Sequence, residues 1–160
     1  MVIDAKLVST IKTLSLPINK KEIQAFLCNI SFLRRFIPNY SEIVKDIIDM
    51  LWKDHEVKWT ISSRYAFDKI KKAISKAPTL ASLDYTKPFS IYSLASETTL
   101  ATVLLQKNED SHDQPIAFFS KVMRDVELKY DIIEKQAYAI IQALKSFRIF
   151  VLHTHYFLCS

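Results

Sequence analysis

The residues that could do chemistry are present in this chain, but their spacing brings few of them together. Three acids, Asp84, Glu97 and Glu134, are of the type that binds cations or moves protons. Asp84 and Glu97 fall in connectors, and no spacing aims them and Glu134 at one point. Cys28 and Cys159 lie far apart and form no CxxC pair, which predicts two reduced thiols rather than a disulfide or a metal clasp. Of His55, His112, His153 and His155, only the last two are close-set, and no Cys/His cluster elsewhere completes a zinc site. The remaining chemistry is electrostatic. Lys20, Lys21, Arg34 and Arg35 are interleaved with Phe32, Phe36 and Tyr40. That pattern suits a surface that follows a phosphate backbone and offers rings to bases. It also suits a helix whose aromatics are core and whose cations are solvated. Both readings stay open.

Composition sets the bounds. A chain of 160 residues, 49% hydrophobic and 24% charged, is ordinary for a globular protein with a core, in one domain or two small ones. No apolar run approaches the roughly 20 residues needed to span a bilayer, so no membrane partner is expected. The opening MVIDAKLVSTIKTL has neither the apolar stretch nor the small-residue cleavage site of a signal peptide, which predicts an intracellular protein, cytoplasmic or nuclear. The formal charge of +5 is uneven: residues 1–80 carry 14 Lys/Arg against 8 Asp/Glu, and residues 81–160 carry 8 against 9. The chain has no glycine. Phosphate-cradling glycine loops are therefore excluded, and left-handed turns must use Asn, Asp or Ser.

The elements that must position these groups fall into two textures. Residues 20–37 place Ile23, Phe26, Leu27, Ile30, Leu33 and Ile37 at helical spacing, with Asn19 or a neighbour as cap and Pro38 as stop. Residues 40–51 repeat the pattern, and a third helix is expected from about Ser62 to Pro78. From Phe89 onward, FSIYSL, LATVLLQ and PIAFFS read as three antiparallel strands. A long amphipathic helix is expected near 125–148, burying Val126, Tyr130, Ile133, Ala137, Ile140, Ile141, Leu144 and Phe147, followed by a strand in HYFLCS. The fold class is α+β. A small helical module over 1–80 precedes three strands, a long helix and a fourth strand over 86–160, with TLASLDYTKP as boundary; that order opens a truncated RNase H-like fold among several options.

Longer matches narrow this further. IQAFLCNISFLRRFIPNYSEIVKDI, KWTISSRYAFDKIKKAISKAPTLASLD, KPFSIYSLASETTLATVLLQ and QPIAFFSKVMRDVELKYDIIEKQAYAIIQALKSFRIFVL resemble, in unbroken order, the polymerase polyprotein of Ty3/gypsy LTR retrotransposons. The likeness covers nearly the whole chain, and the blend of IYSLAS, QPIAFFS and EKQAYA looks most like a plant lineage. The resemblance implies that residues 1–80 correspond to the reverse transcriptase thumb and connection, and residues from about 86 to the first part of the RNase H domain. The metal-binding palm lies outside the match.

The family's nuclease holds paired Mg²⁺ ions on four acids, and magnesium demands oxygen ligands in near-octahedral geometry. The first acid, in a DAS motif, corresponds to Leu94; the second, the last Glu of an EKEAL-type motif, corresponds to Gln136. The third is expected just beyond Ser160 and the fourth further on. Glu134 sits two residues from Gln136, about 200° around a helix, and so points away. The expectation is a chain with no catalytic residues, no metal site and no cofactor. Nucleic acid, including an RNA–DNA hybrid, would be held by Lys20, Lys21, Arg34 and Arg35. Self-association, or contact with other polymerase segments, is expected through an open sheet edge and an uncovered apolar face. Two alternatives are a part of an active polyprotein with hybrid ribonuclease and RNA-directed DNA polymerase activity, and a host-adopted nucleic-acid-binding or structural protein. Where the family carries glycine, this chain has Cys28, Ala101 and His153, and strain of up to a few kcal/mol is expected there.

Overall fold

The computed structural model describes residues 5–52, 57–77, 80–152 and 155–159. Four helices come first: α1 (Ala5–Thr13), α2 (Lys20–Ser31), α3 (Tyr40–Trp52) and α4 (Ile61–Ser75). α1 adds to the three helices expected from the sequence. It buries Ile11, and Leu7 and Val8 pack beside it on the core. Asn19 caps α2 by accepting from the Glu22 amide at 2.9 Å, and Glu22 accepts in return from the Ile18 amide at 2.8 Å. The helix ends at Ser31 rather than reaching Ile37; a 3-10 turn, Arg34–Phe36, follows. Ile37 is extended (φ −116°, ψ 113°), as a residue before proline must be, and the tighter turn still delivers Leu33, Phe36 and Ile37 to the core. Thr60 and Ser63 form a reciprocal capping box on α4. Pro78, the expected stop, lies outside the described residues.

Helical spacing turns Ile23, Phe26 and Ile30 of α2 toward Val44 and Ile47 of α3 and Phe67, Ile70 and Ile74 of α4, all fully buried or nearly so. The Phe26 and Phe67 rings lie tilted by 48° with centroids 4.9 Å apart, and Trp59 meets Phe67 edge-on at 5.7 Å. Each such side chain contributes about 1.5–3 kcal/mol on burial. Phe118, from the sheet, packs on this core too.

The sheet holds β1 (Phe89–Ala95), β2 (Thr99–Lys107), β3 (Asp113–Val122) and β4 (Tyr156–Cys159) in the order β3-β2-β1-β4. β1, β2 and β3 are antiparallel neighbours, whereas β4 lies parallel to β1, from Phe89↔Tyr156 to Tyr92↔Cys159. Between β3 and β4 run α5 (Ile132–Ser146) and α6 (Arg148–Val151). Helices followed by a four-stranded mixed sheet make the α+β, RNase H-like arrangement expected from the sequence.

The expected long helix over 125–148 is broken into a 3-10 turn and α5, and its buried face shares only Phe147 with the expected one. Asp125–Lys129 is a 3-10 turn, Tyr130 is extended, and Asp131 starts α5 with a capping box on Glu134. The face on the sheet is Lys135, Ala139, Ala143 and Phe147, spaced by four. Alanines win that face because they let the helix approach the strands closely. Ile133 and Ile141 point to solvent at 76% and 49% exposure, and Val126 is exposed as well.

The helices meet the sheet through Ser41 and Ser120. The Ser41 amide donates to Ser120 Oγ, and Ser41 Oγ donates to the Ser120 carbonyl, both at 2.8 Å. Among the described residues the left-handed positions are Asn39 (φ 54°), Ser111 (φ 63°) and Asp125 (φ 48°), so Asn, Ser and Asp take the turns that glycine would. Cys28 is helical and Ala101 is in a strand, so the strain expected at these two positions is absent; His153 lies outside the described residues.

Candidate functional site

The two positions that the nuclease chemistry would use are adjacent, since Leu94 is on β1 and Gln136 is on the first turns of α5. β4 pairs with β1 from Phe89 to Tyr92. Gln136 bonds to β1 just beyond that pairing, at Ser93 and Ala95. Its Oε1 accepts from the Ala95 amide at 3.1 Å, and its Nε2 donates to the Ser93 carbonyl at 2.9 Å. The amide thus satisfies one donor and one acceptor that would otherwise be orphaned. A carboxylate cannot do both, because it has no proton to donate. Leu94 faces away and is 67% exposed.

These residues do not fit a pair of magnesium ions. Leu94 offers no oxygen, and the Gln136 oxygen is occupied by Ala95. Among the described residues no group of three or more His, Cys, Asp or Glu could hold a metal ion. Nor do nearby acids fill in. Glu134 accepts from the Asp131 amide in the helix cap at 3.0 Å. Asp84 accepts from the Thr86 amide and hydroxyl at 3.0 and 2.5 Å, which holds its carboxyl below the usual range. What Glu97 contributes is its carbonyl, which accepts from Lys135 Nζ at 3.0 Å.

A second polar cluster ties α5 to β3. Lys121 Nζ donates to Glu127 at 2.5 Å and to the Tyr138 hydroxyl at 2.8 Å, and Tyr138 donates to Glu127. Partial burial works against both charges, yet these bonds hold the Glu127 carboxyl below and the Lys121 ammonium above their ordinary values. The cluster borders a cleft of about 700 Å³ between α3 and β3, with Arg34, Tyr40 and Arg124 on its walls. Burial pushes the Tyr40 phenol up to about 12, although Arg34 pulls the other way.

The four cations singled out from the sequence are not gathered into one patch. Lys20 and Lys21 begin α2, whereas Arg34 and Arg35 follow its far end, roughly 18 Å along the axis. Arg34 lines the cleft, and Arg35 stacks on Phe36 at 5.3 Å. Of the interleaved rings, Phe36 is core and Tyr40 is mostly buried, while Phe32 is 73% exposed. The denser cationic surface is on α4. Its signal, a run of lysines and one arginine with a single acid, is nonetheless legible in the sequence.

Known proteins share this arrangement. The family described as the RNase H-like domain found in reverse transcriptase matches residues 59–158. The chain belongs to that family. It is 33% identical over 132 residues to the Transposon Tf2-3 polyprotein of Schizosaccharomyces pombe, covering 82% of this chain and 10% of that one. The Tf2-4 polyprotein of the same yeast matches equally. The chain therefore spans about a tenth of the length of these curated relatives. Among solved structures, the foamy viral protease-reverse transcriptase dRH in complex with ds DNA superposes with a TM-score of 0.87 at 25% identity, over 98% of this chain and 28% of that one. The foamy viral protease-reverse transcriptase in complex with RNA/DNA hybrid gives 0.83 at 26%, over 97% and 21%. The likeness runs through the helices as well as the sheet.

Proposed function

We propose that this chain is a non-cleaving RNase H-like segment of a Ty3/gypsy-type retrotransposon polymerase, of plant-like lineage, which holds nucleic acid without cutting it. In this reading residues 1–80 act as the thumb and connection, and residues from about 86 as a half-domain that positions a duplex. The observation that carries it is the Gln136 amide, whose oxygen and nitrogen are both committed to β1 beside an aliphatic Leu94. The foamy viral neighbours are described as bound to ds DNA and to RNA/DNA hybrid, which supports a duplex partner for this chain. A hybrid-cleavage assay on the purified chain with Mg²⁺ or Mn²⁺ tests the silent site. No turnover is expected; turnover abolished by chelation and by Gln136→Leu would overturn it.

One observation favours a larger parent. The relatives are polyproteins some ten times longer, so hybrid ribonuclease and polymerase activities would belong to segments beyond this chain. The exposed Ile133 and Ile141 of α5, and Phe157 and Leu158 of β4, are surfaces through which such segments or a second copy would dock.

A further inference from the structure

The charge of this protein is concentrated on one element. Residues 57–77, which lead into and form α4, hold six Lys/Arg (Lys58, Arg64, Lys69, Lys71, Lys72, Lys76) against the single acid Asp68. That surplus of five equals the formal charge of the whole chain. By contrast residues 19–52, with the four cations picked from the sequence, hold five cations against four acids.

Packing directs this charge outward. α4 buries Ser63, Ala66, Phe67, Ile70 and Ile74, so the opposite face presents Arg64, Tyr65, Asp68, Lys69, Lys72 and Lys76 to solvent. Lys69, Lys72 and Lys76, spaced by three and four, line one side of that face. Lys71 is committed inward, donating to the Leu14 carbonyl at 2.7 Å and lying over Phe67 at 5.1 Å. The ion pairs formed between described residues, Lys87–Asp84 and Lys121–Glu127, lie elsewhere, so they leave the outer cations of α4 unneutralised. Fifteen residues give the face a length of about 22 Å, comparable to six or seven base-pair steps of about 3.4 Å.

We propose that the outer face of α4 is the surface that docks the phosphate backbone of a nucleic-acid duplex. The inference rests on the nucleic-acid reading above and deepens it by locating the contact: Arg64, Lys69, Lys72 and Lys76 bind phosphates, and the α2 cations do not. Charge complementarity selects a polyanion. Lys69, Lys72 and Lys76 form a row along the helix with Arg64 on the neighbouring flank, and the exposed apolar side chains beside them are Ile61 and Tyr65, both near its start. That favours a regular duplex backbone over a membrane surface, where a broad apolar face is needed.

The test is fluorescence anisotropy of the 160-residue chain with a labelled DNA duplex and the matching RNA–DNA hybrid, across a salt series. Lys69→Gln/Lys72→Gln/Lys76→Gln is expected to weaken binding by at least about tenfold at low salt. It should also flatten the salt slope by about 0.9 for each phosphate no longer neutralised. Lys72→Glu alone should do the same to a smaller degree. Lys20→Gln/Lys21→Gln/Arg34→Gln/Arg35→Gln should leave the slope unchanged; melting followed by circular dichroism verifies that each variant folds. If this second set abolishes binding and the α4 set does not, the proposal falls while the nucleic-acid reading survives. No binding by the unmodified chain at low ionic strength overturns both. Capture by phosphatidylserine vesicles without duplex binding also overturns the proposal.

Discussion

Two of the joints that hold helix α5 to the sheet use opposite chemistry. At β1 a neutral amide, Gln136, bonds to backbone groups of Ser93 and Ala95. At β3 a charged cluster, Lys121, Glu127 and Tyr138, bonds side chain to side chain. The first sits where an RNase H would concentrate negative charge, and it carries none. Gln106 works in the same manner one strand away, accepting from the Asp84 amide at 3.1 Å and donating to its carbonyl at 2.7 Å. At the first joint the polar group completes backbone hydrogen bonds, and at the second it offsets an opposite charge.

The largest effect is predicted for Gln136→Leu, which strands an amide and a carbonyl and should cost about 2–4 kcal/mol in urea unfolding. A loss below about 0.5 kcal/mol, on the order of a neutral surface change, would mean the amide is not holding β1. Next comes Gln136→Glu, which should make the β1 joint depend on pH. A protonated glutamic acid can replace both bonds and an ionised one cannot, so its folded pKa is raised. Stability should therefore be near wild type below the unfolded carboxyl pKa and fall as pH rises through the folded value; a pH-independent variant would contradict this.

The β3 joint should respond in the reverse sense. Glu127 has a depressed folded pKa, so its contribution is present above its unfolded value and is lost as pH falls through the folded one. Glu127→Gln should remove that acid limb from the stability profile, at a cost of about 1 kcal/mol or less at neutral pH for a partly exposed pair. An acid limb unchanged by the substitution would assign it to other groups. The smallest effect is expected at Ser111, left-handed at φ 63° in the β2–β3 turn. Ser111→Gly should raise stability by about 0.5–1 kcal/mol, and no gain would mean the turn tolerates a side chain without cost.

Much of this arrangement is legible in the sequence, for identifiable reasons. FSIYSL and LATVLLQ are short β-branched or aromatic runs between polar connectors, so β1 and β2 emerge within a residue or two of their limits. The orientation of α5 does not emerge. Its isoleucines mark a face by hydrophobicity, but close packing on strands rewards the alanines at 139 and 143, a steric preference that periodicity does not weigh. The substitutions at Leu94 and Gln136 are visible as lost charge, whereas the bonds from Gln136 to Ser93 and Ala95 depend on how α5 docks against β1. The α2 cations stand out in the sequence because aromatic residues lie among them. Folding buries most of those rings and separates the charges, and only three dimensions show that.

The central claim is that the Gln136 amide is engaged by β1 and offers nothing to a metal ion. Titrating Mn²⁺ into the isotope-labelled chain, while following the Gln136 side-chain amide and the Ala95 backbone amide by NMR, tests this directly. Both signals should stay sharp at concentrations that saturate an RNase H centre. Selective broadening of these two, reversed by chelation, would contradict the account.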